Sequence, residues 1–209
     1  IFNKREIKMK DKSRIVIFAS GGGSNFINIY KHIVSGEINA KIVLLISNNP
    51  NSGAVQFAEK NNINFEVVNK FRFKNELNIN KRYEMILDFN KPDLILLAGF
   101  MKKIPNNIVS TYNGKIINIH PSLLPKFGGK GYYGENVHKA VLDSKEEYTG
   151  VTIHFVNNEY DKGDIILQKK VKVEDGDTVS LLSKRVLKLE HSMYPEVVKK
   201  ICQSNLYVK

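Results

Sequence analysis

An asparagine and a histidine two residues apart, closing an apolar run and followed by a proline-braced turn, open the stretch "NIHPSLLPKFGG", residues 118–129. In an extended strand, residues two apart face the same side, so the Asn118 amide and the His120 imidazole converge on one spot. An amide N–H can stabilise a developing oxyanion, and an imidazole moves protons near neutrality. A single histidine at a strand end is more often a satisfied structural residue, so the pair alone leaves both readings open. A second stretch, "SGGGSN" (20–25), sits between an apolar run and a helical pattern. Glycines let a backbone approach an anion closely, and a helix start offers unpaired N–H groups; Ser24 and Asn25 add side-chain donors. With no P-loop lysine and no full G-x-G-x-x-G, ATP and dinucleotide readings are weak, and a tight strand-to-helix turn is the other possibility. A third stretch, "NNEYDKGDIILQ" (157–168), carries Asp161 and Asp164. A carboxylate beside His120 would favour its protonated form, although Asp-Lys-Gly is also ordinary turn chemistry. The five histidines lack metal-ligand spacing. His154, inside an apolar run, reads as core or face-filling, and Cys202, near a helix end, is not read as a nucleophile.

These groups need a scaffold that brings them together. Apolar runs at 14–20, 41–47, 64–69, 93–99 and 115–120 read as strands, and helical patterns over 24–36, 53–62 and 75–90 separate the first four. This alternation predicts a mostly parallel sheet with helices on both faces. Beyond residue 150 the pattern changes. Runs at 150–157 and 163–173 read as an antiparallel pair, and a last helix runs from Thr178 to about Ile201 with Val179, Leu182, Val186, Leu189 and Met193 on one face. Asp177 is the expected N-cap, and Pro195 is expected to kink or split the helix. Open sheets of this kind bind ligands beyond the C-terminal ends of their strands, where His120 would lie.

Composition sets limits on partners and compartment. The chain has 209 residues, enough for a real core, and no run approaches the roughly 18 to 20 apolar residues of a membrane helix. One cysteine excludes an internal disulfide framework and points to a reducing cytoplasm. The net charge of +11 comes from scattered lysines, with no long basic block beyond "NKREIKMKDK". It reads as solvated surface that attracts anionic small molecules, rather than as a nucleic-acid or membrane face. "MKDKSRIVIFAS" from Met9 looks like a native start, so residues 1–8 read as a leader or remnant, and 1–12 as a disordered segment before one domain over 13–209.

Five ordered stretches, "SGGGSN", "LAGFMKKI" (97–104), "INIHPSLLPKF" (117–127), "VTIHFVNNEYDKGDIILQ" (151–168) and "LEHSMYPEVV" (189–198), span nearly the whole chain after Met9. Together they resemble the phosphoribosylglycinamide formyltransferases, also called glycinamide ribonucleotide transformylases. The resemblance implies a Rossmann-like α/β formyltransferase fold with an antiparallel C-terminal portion. It implies metal-independent transfer of a formyl group from 10-formyltetrahydrofolate to the amine of glycinamide ribonucleotide in purine biosynthesis. It places Gly23, Ser24, Asn25 and Glu190 on the ribonucleotide. Met101, Lys102, Lys103, Ile104, Asn118, Asn157, Asn158, Glu159, Tyr160 and Asp161 fall on the folate. Asn118, His120 and Asp161 match the catalytic trio, with Asp161 holding His120 charged above its ordinary value of about 6.5.

The chain also departs from the family's commonest form. The segment "KFGGKGYYGENVHKAV" is longer and Gly-rich; its loop 126–136 reads as a mobile lid, and a role for His138 stays open. Arg72 or Lys74 stands near the place of a basic residue that reaches a folate carboxylate, without a choice between them. A methionyl-tRNA formyltransferase would add a C-terminal tRNA-binding domain, and a formyltetrahydrofolate hydrolase an N-terminal regulatory one. A sugar-nucleotide formyltransferase is a weaker relative, and a non-catalytic RNA-binding module would make the trio coincidental. The expected partners are anionic small molecules, with no nucleic acid and no membrane. Monomer and homodimer both remain open.

Overall fold

The computed structural model describes residues 11–204, so the leader expected over 1–12 lies outside it but for Asp11 and Lys12. One seven-stranded sheet organises the chain. Its elements are β1 (Ser13–Phe18), α1 (Ser24–Val34), β2 (Ala40–Ser47), α2 (Gly53–Lys60), β3 (Phe65–Val67), α3 (Lys70–Phe73) and α4 (Glu76–Asn90). There follow β4 (Leu94–Leu97), α5 (Asn106–Thr111), β5 (Ile116–His120), α6 (Glu135–Asp143), β6 (Tyr148–Phe155), β7 (Ile165–Lys172) and α7 (Val179–Ser204). The strand order is β3-β2-β1-β4-β5-β6-β7, parallel from β3 to β5, with β6 antiparallel to both β5 and β7. The sheet is therefore mostly parallel with an antiparallel C-terminal part, as the sequence pattern predicts.

The continuous apolar run of β1 has a physical cause. Ile15 and Ile17 enter one core with Phe26, Ile29, Val186 and Tyr194, while Val16 and Phe18 enter a second with Ile79, Tyr83, Leu87 and Ile108. Alternation of side chains along a strand thus feeds two helical layers, and Ile15, Val16, Ile17 and Phe18 are all fully buried. Helix α7 is fastened across the sheet by Tyr194, whose buried hydroxyl donates toward the Leu97 and Ile117 carbonyls at 3.0 and 3.3 Å. Among the described residues no helix is long and apolar enough to cross a membrane.

Several local expectations change. Helices α3, α5 and α6 were not expected. The first two are only four and six residues long, below the length at which periodicity is legible. Helix α6 does carry a pattern, with Val137 and Val141 fully buried, but it follows directly on the Gly-rich run that reads as loop. The cap of α7 is Thr178, whose Oγ1 accepts from the Leu181 N–H at 3.2 Å. Asp177 instead accepts two bonds from the Arg185 guanidinium, at 2.6 and 2.8 Å, and one from the Glu174 N–H. Pro195 lies inside α7 without splitting it.

The crossover order places a topological switch between β1 and β4. There the chain leaves one side of the sheet for the other, and the loops beyond the two strands diverge to leave a crevice. The loops after β1 and β4 are tied together at its base. The Ser20 N–H donates to the Gly99 carbonyl at 3.1 Å, and the Met101 N–H donates to Ser20 Oγ at 3.0 Å.

Candidate active site

A cleft of about 810 Å3 opens over the C-terminal ends of β1, β4 and β5, at the switch point. Its volume is within the roughly 300 to 1,000 Å3 of small-molecule sites. The glycine loop forms part of its wall. Gly23 must be glycine on two counts: its φ is +77°, and a Cβ would lie 2.8 Å from the Ala54 Cβ. As the residue before α1 it supplies no side-chain cap, so the helix start is open to a ligand. Asn25, one residue into α1, is buried and turns its amide to α7, donating from Nδ2 to Glu190 Oε2 at 2.7 Å. Burial pushes the Glu190 carboxyl up to about 7, with the Asn25 bond opposing. Two stretches 165 residues apart in sequence, both expected on the ribonucleotide, therefore meet in the cleft wall.

Asn118 and His120 line the same cleft from β5, as the period of two requires. Asp161 reaches them from the loop between β6 and β7, held at a φ of +54°. Its Oδ1 accepts from Asn118 Nδ2 at 3.3 Å, and its Oδ2 accepts from the Gly129 N–H at 2.8 Å. His120 Nδ1 stands 3.7 Å from Asp161 Oδ2, and His120 Nε2 donates to the Phe127 carbonyl at 2.8 Å. The meeting of His120 with Asp161 is thus present in the fold. The Pro-Ser-Leu-Leu-Pro turn has a structural purpose, because it returns the Phe127 carbonyl to the histidine seven residues earlier.

The protonation expected for His120 is not what the site imposes. Burial lowers its pKa below the ordinary value and outweighs the upward pull of Asp161 and of the Phe127 carbonyl. At 3.7 Å the carboxylate is near enough to attract charge but too far for a direct hydrogen bond. The side chain is 5% exposed, so desolvation dominates. Without substrate His120 is therefore neutral near pH 7. For Asp161 burial pushes upward, but the His154 and His120 rings and the Gly129 N–H outweigh it and keep the carboxyl below its usual range.

His154 was expected to fill a face and instead joins the cluster. Antiparallel pairing sets it opposite Asn118, and paired residues share a side of the sheet. Its Nδ1 donates to the Phe155 carbonyl at 2.7 Å, which leaves Nε2 to accept from Asn118 Nδ2 at 3.1 Å; Asp161 Oδ1 lies 3.6 Å from Nε2. The available signal was a histidine inside an apolar strand, but only the pairing of β6 with β5 gives it meaning.

Met101, Lys102, Lys103, Ile104, Asn157, Glu159 and Tyr160 line the cleft as expected, with the Lys103 ammonium 6.0 Å from the Tyr160 ring centre. Asn158, an exposed residue of the same loop, does not line it. Arg72 and Lys74 do not line it either; they belong to the α3 turn. Residues that sequence reasoning missed include Asn48, Tyr132 and Tyr133. The loop 126–136 expected as a lid is tied to Asp161 through Gly129 and ends where α6 starts. His138, on the first turn of α6, also lines the cleft, and burial together with the charge of His120 lowers its pKa. Among the described residues, no group of three or more His, Cys, Asp or Glu is arranged to hold a metal ion.

Residues 13–198 match the formyl transferase family model. The chain is 43% identical over 197 residues to a chloroplastic phosphoribosylglycinamide formyltransferase of Arabidopsis thaliana, covering 93% of this chain and 67% of that one. It is 40% identical to the chloroplastic enzyme of the same name from Vigna unguiculata, covering 93% and 62%. This chain thus spans about two thirds of the length of these plant relatives. The crystal structure of phosphoribosylglycinamide formyltransferase from Bacillus halodurans superposes with a TM-score of 0.86 at 30% identity, covering 94% of this chain and all of that one.

Proposed function

Because this chain belongs to the formyl transferase family, among the phosphoribosylglycinamide formyltransferases, we propose that it moves a formyl group from 10-formyltetrahydrofolate to the amine of glycinamide ribonucleotide. The product would be N-formylglycinamide ribonucleotide, in de novo purine biosynthesis. The observation that carries the proposal is Asp161 within 3.3 to 3.7 Å of Asn118, His120 and His154, in the cleft that also holds the Asn25–Glu190 pair. Residues 13–209 are proposed to act as one formyltransferase domain. The cytoplasm, where the lone Cys202 remains a thiol, is the proposed location.

The lining fits both ligands. The open start of α1 with Gly23, Ser24 and Asn25 suits a phosphate, and Glu190 suits the hydroxyl- or amine-bearing part of the ribonucleotide. Met101, Ile104, Leu97 and Val156 offer an apolar wall for a flat ring system, while Lys102 and Lys103 offer charge to its carboxylates. Asn157, Glu159, Tyr160 and Asp161 belong to the loop beside it, and Asn158 lies in that loop without lining the cleft. The folate, when bound, supplies the formyl carbon and the nitrogen that leaves.

The protein's share of the chemistry is charge stabilisation and proton transfer. Asn118 holds two bonds in this structure, and the 3.3 Å bond to Asp161 is the longer and weaker. Exchanging that bond directs an amide N–H at the formyl oxygen as negative charge grows there. The same growing charge adds to that of Asp161 and lifts His120 against the cost of burial. The imidazole then takes up a proton from water at the Nδ1 that faces Asp161, and becomes the acid for the departing nitrogen. Formyl transfer measured on native protein and on His120→Ala tests the proposal. The variant is expected to lose about 10² to 10⁴ in kcat. An inactive native protein, or a fully active variant, would refute it.

A further inference from the structure

We propose that His138 is a further catalytic residue of this site, the base that takes the proton from the attacking amine. The inference rests on the formyl-transfer reading above and assigns a proton that reading leaves unplaced. When the amine nitrogen gives its lone pair to the new carbon–nitrogen bond, it becomes positively charged and must lose a proton. The pair of the old carbon–nitrogen bond leaves with the donor nitrogen, which must gain one. One proton comes off and one goes on, so the reaction needs a base and an acid in the same cleft. His120, protonated as charge grows on the formyl oxygen, is the acid, and while it holds that proton it cannot also accept the amine's.

His138 is built into position for the other role. On the first turn of α6, Glu135 and His138 line the cleft, while Val137 and Val141 are fully buried in the core. Glu135 and His138 are an i, i+3 pair, and the adjoining face, with Val137 and Val141, anchors the helix. The residue is only 4% exposed, yet its Nδ1 has no hydrogen-bond partner. Among the described residues, four buried side-chain atoms lack a partner, and two of them, Asn25 Oδ1 and His138 Nδ1, belong to residues of the cleft wall. A packing histidine normally has its ring nitrogens satisfied, whereas a buried ring nitrogen without a partner is costly unless a ligand supplies one. The neighbouring His120 reinforces the division of labour, because charge on His120 opposes charge on His138. While His120 carries the proton destined for the leaving nitrogen, His138 is held neutral and free to accept. Its proton then returns to solvent through the open cleft, and the site is reset.

The test is formyl transfer by native protein, His138→Ala and His138→Asn, with added imidazole and its substituted forms as replacement bases. Thermal melts establish that each variant is folded, and the asparagine form keeps the bulk of the ring's inner half if alanine does not fold. The expected result is a kcat at least about 10²-fold lower in the folded variants. The KM for the ribonucleotide should stay within about threefold of native, since binding is not the step removed. Imidazole should restore activity to the variants, more strongly as the basicity of the added base rises. A kcat within about threefold of native, a loss confined to KM, or a loss that no imidazole restores overturns the assignment. Transfer by the native protein with unaffected variants overturns His138 alone, whereas an inactive native protein overturns the function and this assignment with it.

Discussion

Replacing Glu190 by glutamine should make the protein more stable at alkaline pH while weakening its substrate site. Glu190 is 8% exposed, and its Oε2 accepts a hydrogen bond from Asn25 Nδ2 at 2.7 Å. Burial raises the carboxyl from 4.5 to about 7. A folded carboxyl that holds its proton more tightly than the unfolded chain gives its full stability below the unfolded value of 4.5. That stability drains away as pH rises, and the loss levels off above about 7. The difference of about 2.5, at about 1.4 kcal/mol per tenfold, amounts to about 3 to 4 kcal/mol. Most of it, about 2 to 3 kcal/mol, falls between about pH 5 and pH 8. Glutamine cannot ionise, keeps an oxygen for the Asn25 amide, and brings an N–H that can satisfy Asn25 Oδ1, which is otherwise buried without a partner. Urea unfolding of both proteins at the two pH values isolates this group, because other titrations cancel in the comparison. The variant should gain about 2 to 3 kcal/mol on native protein from the lower pH to the higher, with a raised KM for the ribonucleotide. A native-minus-variant difference that is the same at both pH values would refute the reasoning, since it would mean that ionising Glu190 costs the fold nothing.

Asp161→Asn removes the carboxylate that attracts charge onto His120, so the falling alkaline limb of kcat/KM should move to lower pH; an unmoved limb would contradict the pairing. Gly23→Ala introduces a Cβ 2.8 Å from the Ala54 Cβ at a φ of +77°. It should cost at least about 1 to 2 kcal/mol by urea unfolding and raise the KM for the phosphate-bearing substrate more than that for the formyl donor. Tyr194→Phe strips the hydroxyl that bridges α7 to the Leu97 and Ile117 carbonyls, and should cost about 1 to 3 kcal/mol in the same measurement.

Much of the scaffold is legible along the chain because each part of it is a local pattern. Buried runs such as "RIVIF" mark strands covered on both faces, and their alternation with helical stretches dictates parallel crossovers. What escaped was local structure with too little pattern to read, such as the six residues of α5, and structure overshadowed by its neighbours, such as α6 behind the Gly-rich run. The cap of α7 shows a different limit. Asp177 has the right chemistry for an N-cap, but Arg185, two turns further on, claims both of its carboxylate oxygens, and the adjacent Thr178 takes the cap. Propensity proposes a residue for a position, and competition among side chains that meet only after folding disposes of it.

The site divides along the same line. Sequence by itself determined that Asn118 and His120 share a strand face, because a strand has a period of two whatever surrounds it, and that a glycine loop leads into α1. It also determined the family resemblance, carried by ordered stretches. Only the tertiary structure decided that β6 runs back along β5 and sets His154 against Asn118, or that α7 carries Glu190 to Asn25. It also decided the charge of His120. Spacing can propose a carboxylate nearby, but protonation is a balance between desolvation and charge, and burial is a property of everything packed around a residue. At His120 that surrounding mass outweighs a carboxylate 3.7 Å away.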